Sequence, residues 1–132
     1  MMDRLSPAGK VALAAEVVVA YARVRLFLRR HDLLRALELI RETGSRERRA
    51  AAATDERLAR AVRRTLRRLP ADSRCLMQSL VLTRLLARRG RGSRLVIGVT
   101  AKDRFGAHAW VERDGVPLLP AHEGAFQRLT EL

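Results

Sequence analysis

Residues 73–99 have the sequence SRCLMQSLVLTRLLARRGRGSRLVIGV. In the first half, apolar residues recur every three or four positions, which predicts a helix over residues 74–89 that ends at Gly90. Residues 95–99 are rich in branched side chains and predict a β-strand. The apolar face of the helix is wide, as in helices buried on much of their circumference. We therefore expect a central helix that is followed directly by a sheet.

Three helices are predicted ahead of this segment. The first covers residues 6–30, with Ser6 as N-cap and Pro7 at the first helical position. The second covers residues 33–41 behind a capping Asp32, and the third runs from residue 54 to about residue 69. The residues of the second helix that we expect to face the core are Leu34, Leu37 and Ile40.

Shorter elements follow the central helix. Strands are predicted over residues 107–112, 116–119 and 126–129, and the first two are joined by Asp114 and Gly115, a strong hairpin turn. The pattern predicts an α+β fold, with N-terminal helices and a central cysteine-bearing helix packed on a small antiparallel β-sheet in meander order. Residues 1–132 have the length of a single domain.

Charge is the unusual feature of the composition. The 132 residues include 27 basic and 14 acidic ones, so the net charge is +13. The basic pairs at 63–64, 67–68 and 88–89 follow helix surfaces, where they form either solvated faces or a site for a polyanion. Aromatic residues are only 4% and none is interleaved with the basic runs, which argues against nucleic acid. Residues 11–24 are apolar but too short to span a membrane, and they contain Glu16 and Arg23.

Two residues stand where nucleophilic chemistry is expected. Cys75 is the one cysteine, so no internal disulfide forms, and it lies in the first turn of its helix, where unpaired amides and the helix dipole favour a thiolate. His108 lies on a strand, sharing a face with Trp110, and is placed to exchange a proton with the thiol. The alternatives are a small buried cysteine and a core histidine. Cys75 and the three histidines are too scattered for a structural zinc site.

A third group is needed to orient the imidazole, and the spacing leaves several candidates open. Glu112 shares the face of Trp110, and Asp114 is better explained by its turn. His122 and Glu123 follow the hairpin's return strand. Trp110 itself is expected to be a pocket wall or a core residue.

The residues assembled here resemble a known family. Arg74-Cys75-Leu76, the Arg88-Arg89-Gly90 helix end and the LVIGV strand at 95–99 precede the AHAWVE segment at 107–112, which leads into the Asp114-Gly115 turn. This succession is similar to the transglutaminase-like leader peptidases of lasso peptide biosynthesis. The resemblance covers essentially the whole chain, and Cys75 and His108 fall on the catalytic cysteine and histidine of that family.

The resemblance implies a function and a set of partners. It implies a bacterial, cytoplasmic cysteine peptidase with a transglutaminase-like or papain-like core over residues 71–132, behind a helical region at 1–70. The enzyme would need no cofactor or metal and would remove the leader from a lasso precursor peptide. The chain has no room for a fused recognition module, so we expect a separate leader-recognition protein, with the ATP-dependent lasso cyclase as a candidate third partner.

One departure from the family pattern concerns the third catalytic residue. Many members carry an Asn-Asp pair after the hairpin, and the Asp completes the triad, whereas this chain has Leu119-Pro120 at that place. Glu123 is the nearest replacement and is our candidate, with His122, Glu112 or a plain Cys/His dyad as alternatives.

Two other functions remain open at this stage. An acyl transferase would use the same Cys75 and His108 but would pass the thioester to an amine instead of water. A basic module that binds polyanions without catalysis would use the arginines and would not need Cys75.

Overall fold

The computed structural model describes residues 7–42, 53–68, 74–100, 106–118 and 127–132. Within these ranges the predicted α+β fold is confirmed: helices precede a small antiparallel sheet. The helices are α1 (Pro7–Arg30), α2 (Leu33–Glu42), α3 (Asp55–Leu66) and α4 (Arg74–Arg88). The strands are β1 (Arg94–Thr100), β2 (Gly106–Arg113), β3 (Val116–Pro117) and β4 (Gln127–Glu131).

Helix α4 is the centre of the fold, as its wide apolar face predicts. It packs against α1, α2 and α3 and against strands β1 and β2. All seven residues from 80 to 86 are buried, so no side of this part of the helix reaches water. Helix α1 faces the core with the buried residues Leu13, Val17, Ala20, Tyr21 and Val24.

Short local contacts set the ends of the helices. The Asp32 carboxylate accepts a hydrogen bond from the Arg35 amide at 2.9 Å, and the Thr54 hydroxyl accepts one from the Arg57 amide at 3.2 Å. These side chains satisfy amides that have no partner inside α2 and α3. At the other end of α4, Gly90 has φ +70° and the Arg91 amide donates to the Leu86 carbonyl. This left-handed glycine cap ends the helix where the sequence predicts.

The predicted inward face of α2 is partly wrong. Leu37 and Ile40 are buried, but Leu34 is 60% exposed and Ala36 is buried in its place. In an α-helix, each step of three residues falls about 60° short of a full turn. Positions 34, 37 and 40 therefore drift around the helix and do not share one narrow face. The face that packs on α4 instead follows 36, 37 and 40, which leaves Leu34 at its edge.

The strands form one sheet in the order β3-β2-β1-β4, with antiparallel pairing throughout. The turn between β2 and β3 has Asp114 at φ 52° and Gly115 at φ 79°, which matches the predicted tight hairpin. The last strand pairs with β1 rather than β3, so only β1 to β3 follow a meander. Positions 119 and 126 of the predicted strands lie outside the described residues.

A buried ion pair joins α1 to the end of α4. Both Glu16 carboxylate oxygens accept from the Arg89 guanidinium at 2.8 Å, and Arg88 lies 2.9 Å from the same carboxylate. The Arg89 side chain is only 5% exposed and that of Arg88 is 20% exposed. The interpretation of the basic pair at 88–89 as a solvated face is therefore wrong, because both side chains bind Glu16 near the core.

Arg41 fastens α2 to the edge of the sheet. Its guanidinium donates to the backbone oxygens of Ser93 at 3.0 Å and Leu132 at 2.9 Å. Burial lowers the pKa of Arg41 from its usual value, because the charged form loses hydration there. Leu132 also exchanges backbone hydrogen bonds with Leu95, so Arg41 joins α2 to the start of β1 and the end of β4.

None of the helices in the described ranges combines the length and apolar character needed to cross a bilayer. The segment at residues 11–24 lies inside α1, where it supplies part of the core.

The Glu16 ion pair leads to a prediction about stability. Glu16→Gln should lower the free energy of unfolding by about 2 kcal/mol, because it removes the charged carboxylate that both arginines bind near the core. Urea denaturation followed by circular dichroism measures the change. The matched control is Glu38→Gln, whose exposed carboxylate lies 3.5 Å from Arg35 and should contribute less than about 0.5 kcal/mol. Equal effects of the two substitutions would contradict the assignment.

Candidate active site

Cys75 lies in the first turn of α4, at the margin of the core. It is half-buried and packs against the buried cluster. Ser79, one turn further along, is fully buried and donates its hydroxyl to the Cys75 carbonyl oxygen at 2.7 Å. This contact fixes the backbone that carries the thiol. The amides of a first helical turn have no partners inside the helix, so they favour negative charge at this position.

His108 lies on β2 and is also half-buried. Its cross-strand neighbour on β1 is Gly98, which has no side chain to compete for space beside the imidazole. The strand bearing His108 packs against the helix bearing Cys75. The structure therefore brings the two predicted elements together as neighbours in the fold. The catalytic roles of the two side chains stay predictions.

Trp110 supports His108 from the next position on the same face of β2. The two rings are stacked, with centroids 5.9 Å apart and planes inclined by 26°. Trp110 is buried, and its indole nitrogen donates to the Glu112 carboxylate at 2.8 Å. Glu112 is itself only 6% exposed, so both the donor and the acceptor of this hydrogen bond are buried. The expectation that Trp110 is a wall or core residue agrees with this placement.

Two candidates for the third catalytic group lie in the described residues. Glu112 shares the face of His108, four residues of extended strand away, with Trp110 between them. One of its carboxylate oxygens accepts a hydrogen bond from the indole. Asp114 is exposed in the hairpin turn, as its turn chemistry predicts. His122 and Glu123 lie outside the described residues.

Metal chemistry has no support among the side chains that the structure describes. Within those ranges, no group of three or more His, Cys, Asp or Glu residues is arranged to hold a metal ion. The described part of the site therefore consists of a thiol, an imidazole, an aromatic wall and a buried carboxylate.

Most of the chain has a counterpart among known protein families. The family model described as the Transglutaminase-like superfamily matches residues 18–131. This chain belongs to the transglutaminase-like superfamily. The assignment fits a cysteine protease or an acyl transferase in general, and the superfamily includes cysteine peptidases. Neither the curated proteins nor the solved structures gave a significant match.

The superfamily match runs across the predicted boundary at residue 70. It includes α2, α3 and most of α1 together with α4 and the sheet. The division into a helical region and a catalytic core stays a prediction.

Two features of the site region escaped the sequence interpretation. Arg84 lies in the apolar stripe of α4 and is 2% exposed, with its guanidinium 5.8 Å from the centre of the Phe27 ring. The bond from Trp110 to Glu112 was also missed, although a signal was present. A tryptophan and a glutamate two residues apart on a strand share one face, and a buried carboxylate needs a donor.

The Trp110–Glu112 hydrogen bond can be tested by its contribution to stability. Glu112→Ala should lower the free energy of unfolding by about 1–3 kcal/mol, because a buried indole N–H loses its acceptor. Glu112→Gln keeps an acceptor oxygen and should have a smaller effect. Thermal or urea unfolding measures both variants. An alanine variant as stable as the glutamine variant would show that the bond contributes nothing.

Proposed function

We propose that this protein is a cysteine peptidase that removes the leader from a lasso precursor peptide. The observation that carries the proposal is the packing of the Cys75 helix against the His108 strand in a chain of the transglutaminase-like superfamily. The choice of substrate rests on the resemblance of residues 73–118 to the lasso leader peptidases. A separate recognition protein would deliver the precursor, and the reaction belongs in the bacterial cytoplasm, where a single thiol stays reduced.

The first half of the reaction forms a thioester. The Cys75 thiolate attacks the scissile carbonyl carbon, and the carbon–sulfur bond forms as the carbon–nitrogen bond breaks. The developing oxyanion is held by the Cys75 backbone amide and one further donor. The imidazolium of His108 gives its proton to the departing amine, which becomes the new N-terminus of the core peptide.

The second half of the reaction releases the leader. Neutral His108 removes a proton from water, and the hydroxide adds to the thioester carbonyl. The Cys75 thiolate then leaves, and the leader departs with a free carboxylate. The Trp110 ring limits the positions that the imidazole can take, because Trp110 is itself fixed by Glu112.

The proposal predicts the effect of removing either reacting group. Cys75→Ala and His108→Ala should each abolish cleavage of a lasso precursor in the presence of its recognition protein, while circular dichroism shows an intact fold. Mass spectrometry of the products measures cleavage.

His31→Ala is a matched control for the histidine, because His31 is exposed at the end of α1. This variant should cleave like the unmodified protein. Cleavage by Cys75→Ala at the normal rate would overturn the peptidase assignment.

The third catalytic role is proposed for Glu123. Glu123→Gln should lower kcat/KM by more than about tenfold, or ~1.4 kcal/mol of activation free energy, if it orients His108. Steady-state kinetics with the precursor measures the loss. A smaller loss would leave the enzyme with a dyad, or with His122 or Glu112 in this role.

A further inference from the structure

A groove between α1 and α3 carries an unusual concentration of positive charge. Its volume is about 950 Å³, and no Asp or Glu is among the described residues that line it. Apolar and small residues form its floor, among them Leu13, Ala14 and Ala61. We call it the basic groove. The cations around it are Lys10, Arg57, Arg60, Arg64, Arg67 and Arg68.

These six cations differ from the other arginines near the core. Arg88 and Arg89 bind Glu16, while Arg91 and Arg113 lie 3.0 and 3.1 Å from Asp55. Within the described part of the chain, none of the six groove cations forms an ion pair. Among the described residues, the groove therefore holds several like charges with no ion-pair partner, an arrangement that costs stability unless an anion binds there.

The neighbouring surface of α1 is apolar and exposed. Val11 is 70% exposed and Val18 is 44% exposed. They lie about one helical turn before and one turn after Ala14, which lines the groove. The exposed stripe continues along the helix at three- and four-residue steps through Ala15, Ala22 and Leu26. A helix that is apolar on both its inner and outer sides is typical of one covered on both sides. Exposed apolar surface rimmed by charge marks an interaction site.

We propose that the basic groove and the adjoining α1 stripe dock an amphipathic, acidic helix of a partner protein. The apolar face of such a helix would lie on Val11, Ala14 and Val18, and its carboxylates would meet the arginines of α3. Arg57 to Thr65 span about 12 Å of α3, which matches two turns of a docked helix. The inference stands apart from the proposed peptidase activity, because neither Cys75 nor His108 lines the groove.

An acidic protein segment fits better than a nucleic acid. Single-stranded nucleic acids are held by aromatic side chains that stack on the bases, and the lining residues that the structure describes include no aromatic one. The apolar floor would have no partner under a phosphate backbone, whereas leucine-like side chains of an amphipathic helix would bury it.

Binding of a designed peptide tests the proposal. The probe is a fluorescently labelled helix of about 18 residues with a leucine stripe flanked by glutamates, compared with the same peptide carrying glutamines. Fluorescence anisotropy with the full chain should show binding of the acidic peptide that weakens with salt, at least about tenfold tighter than the glutamine peptide. The double variant Arg60→Glu/Arg64→Glu should weaken binding by about tenfold or more.

Matched variants separate the groove from net charge. Arg23→Glu/Arg30→Glu changes the charge equally on exposed positions of α1 that do not line the groove, and it should leave binding within about twofold. Val18→Ser should weaken binding, whereas Val116→Ser on the exposed β3 should not. Equal losses in the two double variants would overturn the proposal. It would also fail if the acidic peptide did not bind, or if a single-stranded oligonucleotide bound the groove more tightly than the peptide.

Discussion

Burial of α4 on all sides is the constraint on which the rest of this structure depends. Residues 80–86 are enclosed by the other helices and by the sheet, so this helix can be reached from solvent only near its ends. The half-buried Cys75 lies in the first turn, close to enough core to be held and open enough to react. At the opposite end, Gly90 terminates the helix and Glu16 binds both Arg88 and Arg89. The same packing therefore stabilises the fold and positions the proposed nucleophile.

The second determinant of the site is the alternation of β2. Because side chains on a strand alternate, His108, Trp110 and Glu112 lie on one face. Glu112 is a buried carboxylate, and its hydrogen bond from the indole both reduces the cost of burial and fixes the ring that lies against His108. The Glu112 carboxylate thus holds Trp110, which in turn stacks on His108.

Local patterns were enough to predict the fold class, the helix cap at Asp32, and the hairpin turn at Asp114. Each depends on residues close together in the chain. The errors concern partners distant in sequence. Leu34 is exposed because α4 meets another side of α2. Arg89 is buried because it binds Glu16, which lies 73 residues earlier in the chain. Similarly, no local signal places β4 beside β1. In the site, helix and strand positions were predictable for Cys75 and His108. The alternation of β2 also places Trp110 and Glu112 on one face, but their burial, which makes the hydrogen bond necessary, depends on the folded arrangement.

The proposed peptidase and an acyl transferase share every step up to the thioester, so the fate of that thioester tests the central claim most directly. The full chain, the precursor and its recognition protein would be mixed in water labelled with heavy oxygen, and the released leader would be weighed by mass spectrometry. A peptidase that uses Cys75 predicts one labelled oxygen in the leader carboxylate and no product with Cys75→Ala. A leader joined to an amine without label, or labelled leader released at the normal rate by Cys75→Ala, would contradict the account.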